Sequence, residues 1–186
     1  MTSQYEQISN LESLAGEWDE LKAASLAPAI DPRQQEELLQ TRHILEAVAK
    51  IGPEWSMPFY RELAASKGTE ARQEAAELLA ECPPGFRPEN AVVLKSLLTD
   101  SVLVIRLRAA VGLILFEEPF GQDVILEALN SPNDWEHRQA LEQLGRLPRL
   151  NQRTFALPRI KAIANDRLAH ELTRAAANDL LRGGPQ

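Results

Sequence analysis

Four stretches of the chain repeat one another: ARQEAAELL from Ala71, IRLRAAVGLI from Ile105, HRQALEQLG from His137 and TRAAANDLL from Thr173. In the first two, an arginine (Arg72, Arg106) is followed three and four residues later by an alanine pair, Ala75-Ala76 and Ala109-Ala110. Leu79 and Leu113 stand at the seventh position beyond the arginine. With His137 in the arginine's place, Ala140, Leu141 and Leu144 fill the same positions. With Thr173 there, Ala176, Ala177 and Leu180 do. Spacings of three, four and seven put these residues on one helical face. Small residues on that face let neighbouring backbones approach, and the leucines fill the space between layers.

The anchors at 72, 106, 137 and 173 recur with the period of a two-helix unit. Each unit reads as a first helix, over about 56–66, 89–98, 119–130 and 155–164, then a turn and the anchor-bearing second helix. One hairpin cannot bury its own apolar face, so such units must stack. Upstream, Asp31-Pro32 reads as a cap and first turn, and Ile8, Leu11, Leu14, Ala15, Trp18 and Leu21 form another helical stripe. Residues 1–54 are therefore expected to be an N-terminal helical cap on repeats spanning 55–186, in one domain. No period-two alternation predicts a strand. The expected fold is all-α, a right-handed α-solenoid of about four helical hairpins.

The helix containing Asp100, Arg106, Ala109, Ala110 and Leu113 resembles the HEAT repeat family, whose second helix often begins D-x-x-x-V-R-x-x-A-A-x-A-L; one extra residue precedes the arginine here. Residues 129–141, LNSPNDWEHRQAL, are similar to a segment of the C-terminal helical extension of some bacterial sulfatases, of the type L-x-x-P-N-E-W-V-R-L-Q-A-A-x-A-L. Asp134, Glu136 and His137 depart from that pattern. The resemblance covers roughly residues 89–182 and implies HEAT-like stacking. It also implies structural roles for Asp100, Asp134, Trp135 and His137, with the Trp135 ring over the seam between repeats.

The chemistry of a sulfatase catalytic domain is not expected. Its C/S-x-P-x-R motif is approached only by Cys82-Pro83-Pro84-Gly85-Phe86-Arg87, one residue too long, and 186 residues leave no room for the metal-binding aspartates. Cys82 reads as a small apolar residue, and as the sole cysteine it can form neither an internal disulfide nor a cysteine cage. His43, His137 and His170 share no i, i+4 spacing, and His170-Glu171 reads as an exposed pair. No nucleophile elbow, Walker or dinucleotide-binding glycine pattern is present. No cofactor, no metal and no catalytic residue are expected.

Arg72 and Arg106 stand where a planar guanidinium can bond turn carbonyls and neighbouring acids. Arg108, Arg138 and Arg174 are candidates for a surface facing a partner. The expected function is a non-catalytic scaffold that presents its second helices along a concave surface to a protein partner or an adjoining domain. Two alternatives stand beside it. One is a HEAT-like enzyme or enzyme subunit, of the DNA glycosylase or bilin lyase kind. The other is self-assembly through Trp18, Trp55, Phe59 or Tyr60. A net charge of −7 weighs against nucleic acid, although residues from Arg138 onward hold 9 basic against 4 acidic residues, a balance of +5. No apolar run approaches the roughly 20 residues of a membrane span. MTSQYEQISN shows no secretory leader, so a cytoplasmic protein is expected.

Overall fold

The computed structural model describes residues 48, 50, 52–148 and 150–183. Among these it is all-helical, with eight α-helices and no strand. The chain divides into two compact units, Met1–Ala75 and Ala76–Gln186. Most of the expected N-terminal cap, with Trp18 and His43, lies outside the described residues.

In the first unit, α1 (Pro53–Ala64) starts from Gly52, whose φ of 109° is open to glycine at little cost. Pro53 takes the first helical position, where its missing N–H would have had no helical partner. Its buried residues are Ser56, Met57, Tyr60, Leu63 and Ala64. Tyr60 therefore belongs to the interior, which removes it from the residues able to present a self-assembly surface. Helix α2 (Thr69–Ala80) follows in the chain and continues into the second unit.

The second unit goes on with α3 (Arg87–Leu97), α4 (Leu103–Leu115), α5 (Gly121–Asn130), α6 (Asp134–Gly145), α7 (Leu157–Asn165) and α8 (Glu171–Leu181). Short 3-10 turns at Pro84–Phe86 and Leu150–Ala156 lead into α3 and α7. Proline lies in the first turn of α1, α3 and α7, and Pro119 stands just before α5, so a similar start signal serves every first helix.

Packing follows chain order. Helix α3 lies on α4, α5 on α6 and α7 on α8. The second helices also touch in succession, α4 with α6 and α6 with α8, and first helix α5 meets α7. A continuous core runs through Leu107, Ile125, Leu129, Leu141, Leu144, Leu147 and Ile160. Ala75, Ala76, Ala109, Ala110 and Ala140 are fully buried, as the repeated pattern requires.

Two backbone features set the spacing. A Cβ on Gly112 would fall 2.8 Å from Ala80 Cβ and 2.9 Å from Leu94 Cδ1, so α4 approaches its neighbours where it has no side chain. Helix α4 then ends with Glu117 in the left-handed region (φ 64°). The Glu118 N–H donates to Leu113 O at 2.9 Å and the Glu117 N–H to Ile114 O at 3.0 Å, the paired bonds of a Schellman stop. Lys95 on α3 pins this turn through Glu118 at 3.2 Å and through the Phe120 ring, 4.5 Å from its Nζ.

Candidate functional site

The second helices share a more exact register than the alanines alone convey. In α2, α4, α6 and α8 the N–H of the fourth residue donates to the residue just before the helix: Arg72 to Gly68, Arg106 to Val102, His137 to Asn133 and Arg174 to His170. The last position of that set is Arg174, whereas the alignment placed Thr173 there. Three residues beyond each, Ala75, Ala109, Ala140 and Ala177 are all fully buried.

The arginines at this position do similar work. Arg72 Nη1 donates to Ser66 O at 3.2 Å and Lys67 O at 2.9 Å. Arg106 Nη1 donates to Asp100 O at 2.9 Å and Ser101 O at 3.3 Å, again six and five residues back. Arg174 Nη1 donates to Arg167 O at 3.1 Å. Each half-buried guanidinium bonds carbonyls of the turn that enters its helix. Arg174, a candidate for partner binding, thus sits in the frame of the fold.

His137 breaks the series. Its ring is shorter than an arginine side chain, and its buried Nε2 has no hydrogen-bond partner among the described residues. His137→Arg is therefore expected to stabilise the protein by about 1 kcal/mol, the net scale of one such bond. For a chain of this size that is a rise of roughly 2–4 °C in Tm. Calorimetry showing no rise would mean that the turn before α6 offers its carbonyls elsewhere.

The turn before α6 is otherwise well furnished. Asn133 caps the helix, its side chain accepting from the Trp135 N–H at 3.0 Å. Asp134 reaches to the next pair: Oδ1 accepts from the His170 N–H at 3.1 Å and Oδ2 from Thr173 Oγ1 at 2.8 Å. Desolvation pushes its carboxyl up, but the Thr173 and His170 bonds and nearby imidazoles bring it below its ordinary value. Asp100 acts more locally, Oδ1 accepting from the Val102 N–H at 2.9 Å. Asp134 thus bridges two second helices, whereas Asp100 bonds only within its own turn. Trp135 is 43% exposed.

Arg108 lies in a network of charges. Its Nη1 is 2.6 Å from Glu77 Oε2, while Arg146 Nη2 bonds Glu77 Oε1 and stands 3.8 Å from Glu81. The Arg146 bond holds the Glu77 carboxyl below the usual range against the pull of burial, with Arg108 adding to it. This network joins α2, α4 and the end of α6. Arg138 has neither a hydrogen bond nor an ion pair among the described residues. The three candidate arginines thus occupy three settings: Arg108 faces a carboxylate, Arg174 a carbonyl, and Arg138 is uncommitted. In helix numbering Arg108 is the sixth residue of α4, Arg138 the fifth of α6 and Arg174 the fourth of α8. At about 100° per residue these positions point in different directions.

Two further arginines hold the structure without having been singled out in the sequence. Arg153 is buried, with Nε donating to Leu147 O at 3.0 Å and Nη2 to Leu147 O and Gly145 O, where α6 ends. Desolvation by burial lowers its pKa. Arg159 Nε donates to Leu129 O at 2.6 Å, tying α7 to the end of α5. Their only sequence signal was arginine within otherwise apolar or turn-like segments. His170, read as an exposed pair with Glu171, is the cap of α8, its Nδ1 accepting from the Leu172 N–H at 3.2 Å. Cys82 is buried. Among the described residues no group of His, Cys, Asp and Glu could hold a metal ion, and no helix is long and apolar enough to cross a membrane.

No family model matches the chain, and comparison with curated proteins and with solved structures finds no match.

Proposed function

We propose that the chain is a HEAT-type, right-handed α-solenoid that acts as a non-catalytic scaffold, presenting its second helices along a concave surface to a protein partner or an adjoining domain. The observation that carries this reading is the four-fold recurrence of one helix start: the same backbone bond, a cationic or imidazole side chain at the fourth position, and a buried alanine three residues on. The contacts of α4 with α6 and of α6 with α8 fit stacked units. Bonds from Arg72, Arg106 and Arg174 to turn carbonyls give such a stack fixed turns, and so a surface defined before a partner arrives.

The face offered to the partner centres on the start of α6. Trp135 and Arg138 are three residues apart and share one side of the helix. An exposed aromatic ring beside an uncommitted guanidinium is the pairing most enriched where binding energy concentrates. Arg108 and Arg174 serve this surface indirectly, by holding its shape. The test is affinity capture from cell extract, comparing the native protein with a Trp135→Ala, Arg138→Glu variant of matched stability. Specific partners are expected to be lost from the variant. Equal recovery by both proteins would sink this choice of surface.

A further inference from the structure

Helix α8 buries one side and leaves the opposite one toward solvent. Thr173, Ala177 and Leu180, spaced four and three apart, are its buried residues, and Thr173 bonds Asp134 of α6. At about 100° per residue, Glu171, Ala175, Asn178 and Arg182 stand on the other side. Asn178 is half-buried and the other three are exposed. Counted from the start of the helix, these are the first, fifth, eighth and twelfth positions. In α4 the same positions hold Leu103, Leu107, Ala110 and Ile114, which lie in the core or pack against it. In α6 they hold Asp134, Arg138, Leu141 and Gly145. Asp134 there bonds α8, Leu141 is buried, and a Cβ on Gly145 would lie 3.9 Å from Leu180 of α8. Positions covered in α4 and partly covered in α6 are therefore open in α8.

The charges of this open face are self-complementary. An acid, Glu171, stands at the start and a base, Arg182, at the end, with the small or neutral Ala175 and Asn178 between them. Their spacing of four, three and four residues reads the same from either end. A second copy of α8 laid antiparallel therefore brings Glu171 against Arg182 at both ends and Ala175 against Asn178 at the centre. The two helix dipoles then oppose one another, which is the favourable arrangement side by side, and the missing bulk at Ala175 lets the backbones approach. Within its own chain Arg182 stands 3.9 Å from Asp179, but with its side chain 80% exposed that pair holds it loosely. We propose that this face of α8 is where two copies of the chain meet, antiparallel about a two-fold axis, with Glu171 of each against Arg182 of the other. A wholly acidic or wholly basic partner would match one end and oppose the other; a second copy matches both. A seam of ion pairs and small side chains gives a reversible dimer rather than a permanent one.

The experiment is sedimentation equilibrium on the full chain, from micromolar to millimolar concentration. The native protein should pass from monomer to dimer across that range. Glu171→Arg makes α8 basic at both ends and Arg182→Glu makes it acidic at both, so each variant alone should raise the dimer Kd at least about tenfold. An equimolar mixture of the two variants restores opposite charges at both ends and should return to a Kd near the native one. Recovery in the mixture requires both variants to be folded, so loss of helix cannot imitate it. A native protein that stays monomeric throughout would overturn the proposal. So would a dimer that both single variants keep, or a mixture that associates no more tightly than its components.

Discussion

Gly121→Ala should destabilise the second unit by about 3 kcal/mol, at the upper end of what one added methyl group does in a packed interior. Gly121 opens α5 and is buried where that helix meets α4. A Cβ there would run into the carbonyl oxygen of Ala110 and lie 2.8 Å from its carbon and 2.9 Å from its Cα. All three obstacles are main chain, so no rotamer change relieves them; α5 must move away from α4, and α6 and α7 pack on α5 in turn. The matched control is Gly85→Ala, where the new methyl meets nothing within 4 Å. Urea melts of the two variants should differ by most of the predicted loss. Similar midpoints would show that the α4–α5 contact yields more easily than its geometry implies.

Leu144→Ala should cost about 2–5 kcal/mol, the range for deleting a buried leucine side chain. Leu144 is fully buried in α6, within the core that also holds Leu107, Ile125, Leu141 and Ile160. Its equivalents Leu79 and Leu113 are fully buried too. The lost methyl groups leave a cavity between helices whose spacing the alanines have already set, so little collapse can offset it. Leu168, 96% exposed, provides the contrast: Leu168→Ala should fall within about 0.5 kcal/mol of the native value. Losses of equal size at the two positions would contradict the burial pattern.

Much of the helical layout was readable because its signals are local. The alanine that lets a second helix approach acts within one turn of where it stands. The arginines at 72 and 106 were readable for the same reason, since each bonds carbonyls only five or six residues back. The fourth unit fits two registers: Leu180, seven beyond Thr173, is buried like Leu79, Leu113 and Leu144, while Ala177 is buried three beyond Arg174. The Glu77 network and the Arg159 bond to Leu129 were invisible, because each joins side chains and carbonyls brought together only by the packed fold. His170 and Glu171 are exposed, as read, but the part of His170 as the cap of α8 has no signature in a sequence. Of the three candidate arginines, Arg108 and Arg174 have neighbours that a sequence could not reveal, a carboxylate and a turn carbonyl brought to them by the fold.

The carboxylate of Glu77 is held by two cations of very different age. During synthesis Glu77 emerges 69 residues ahead of Arg146, a delay of several seconds at the roughly 5–20 residues per second of a ribosome. Arg108 is made sooner, so it is the first of the two cations present in the growing chain.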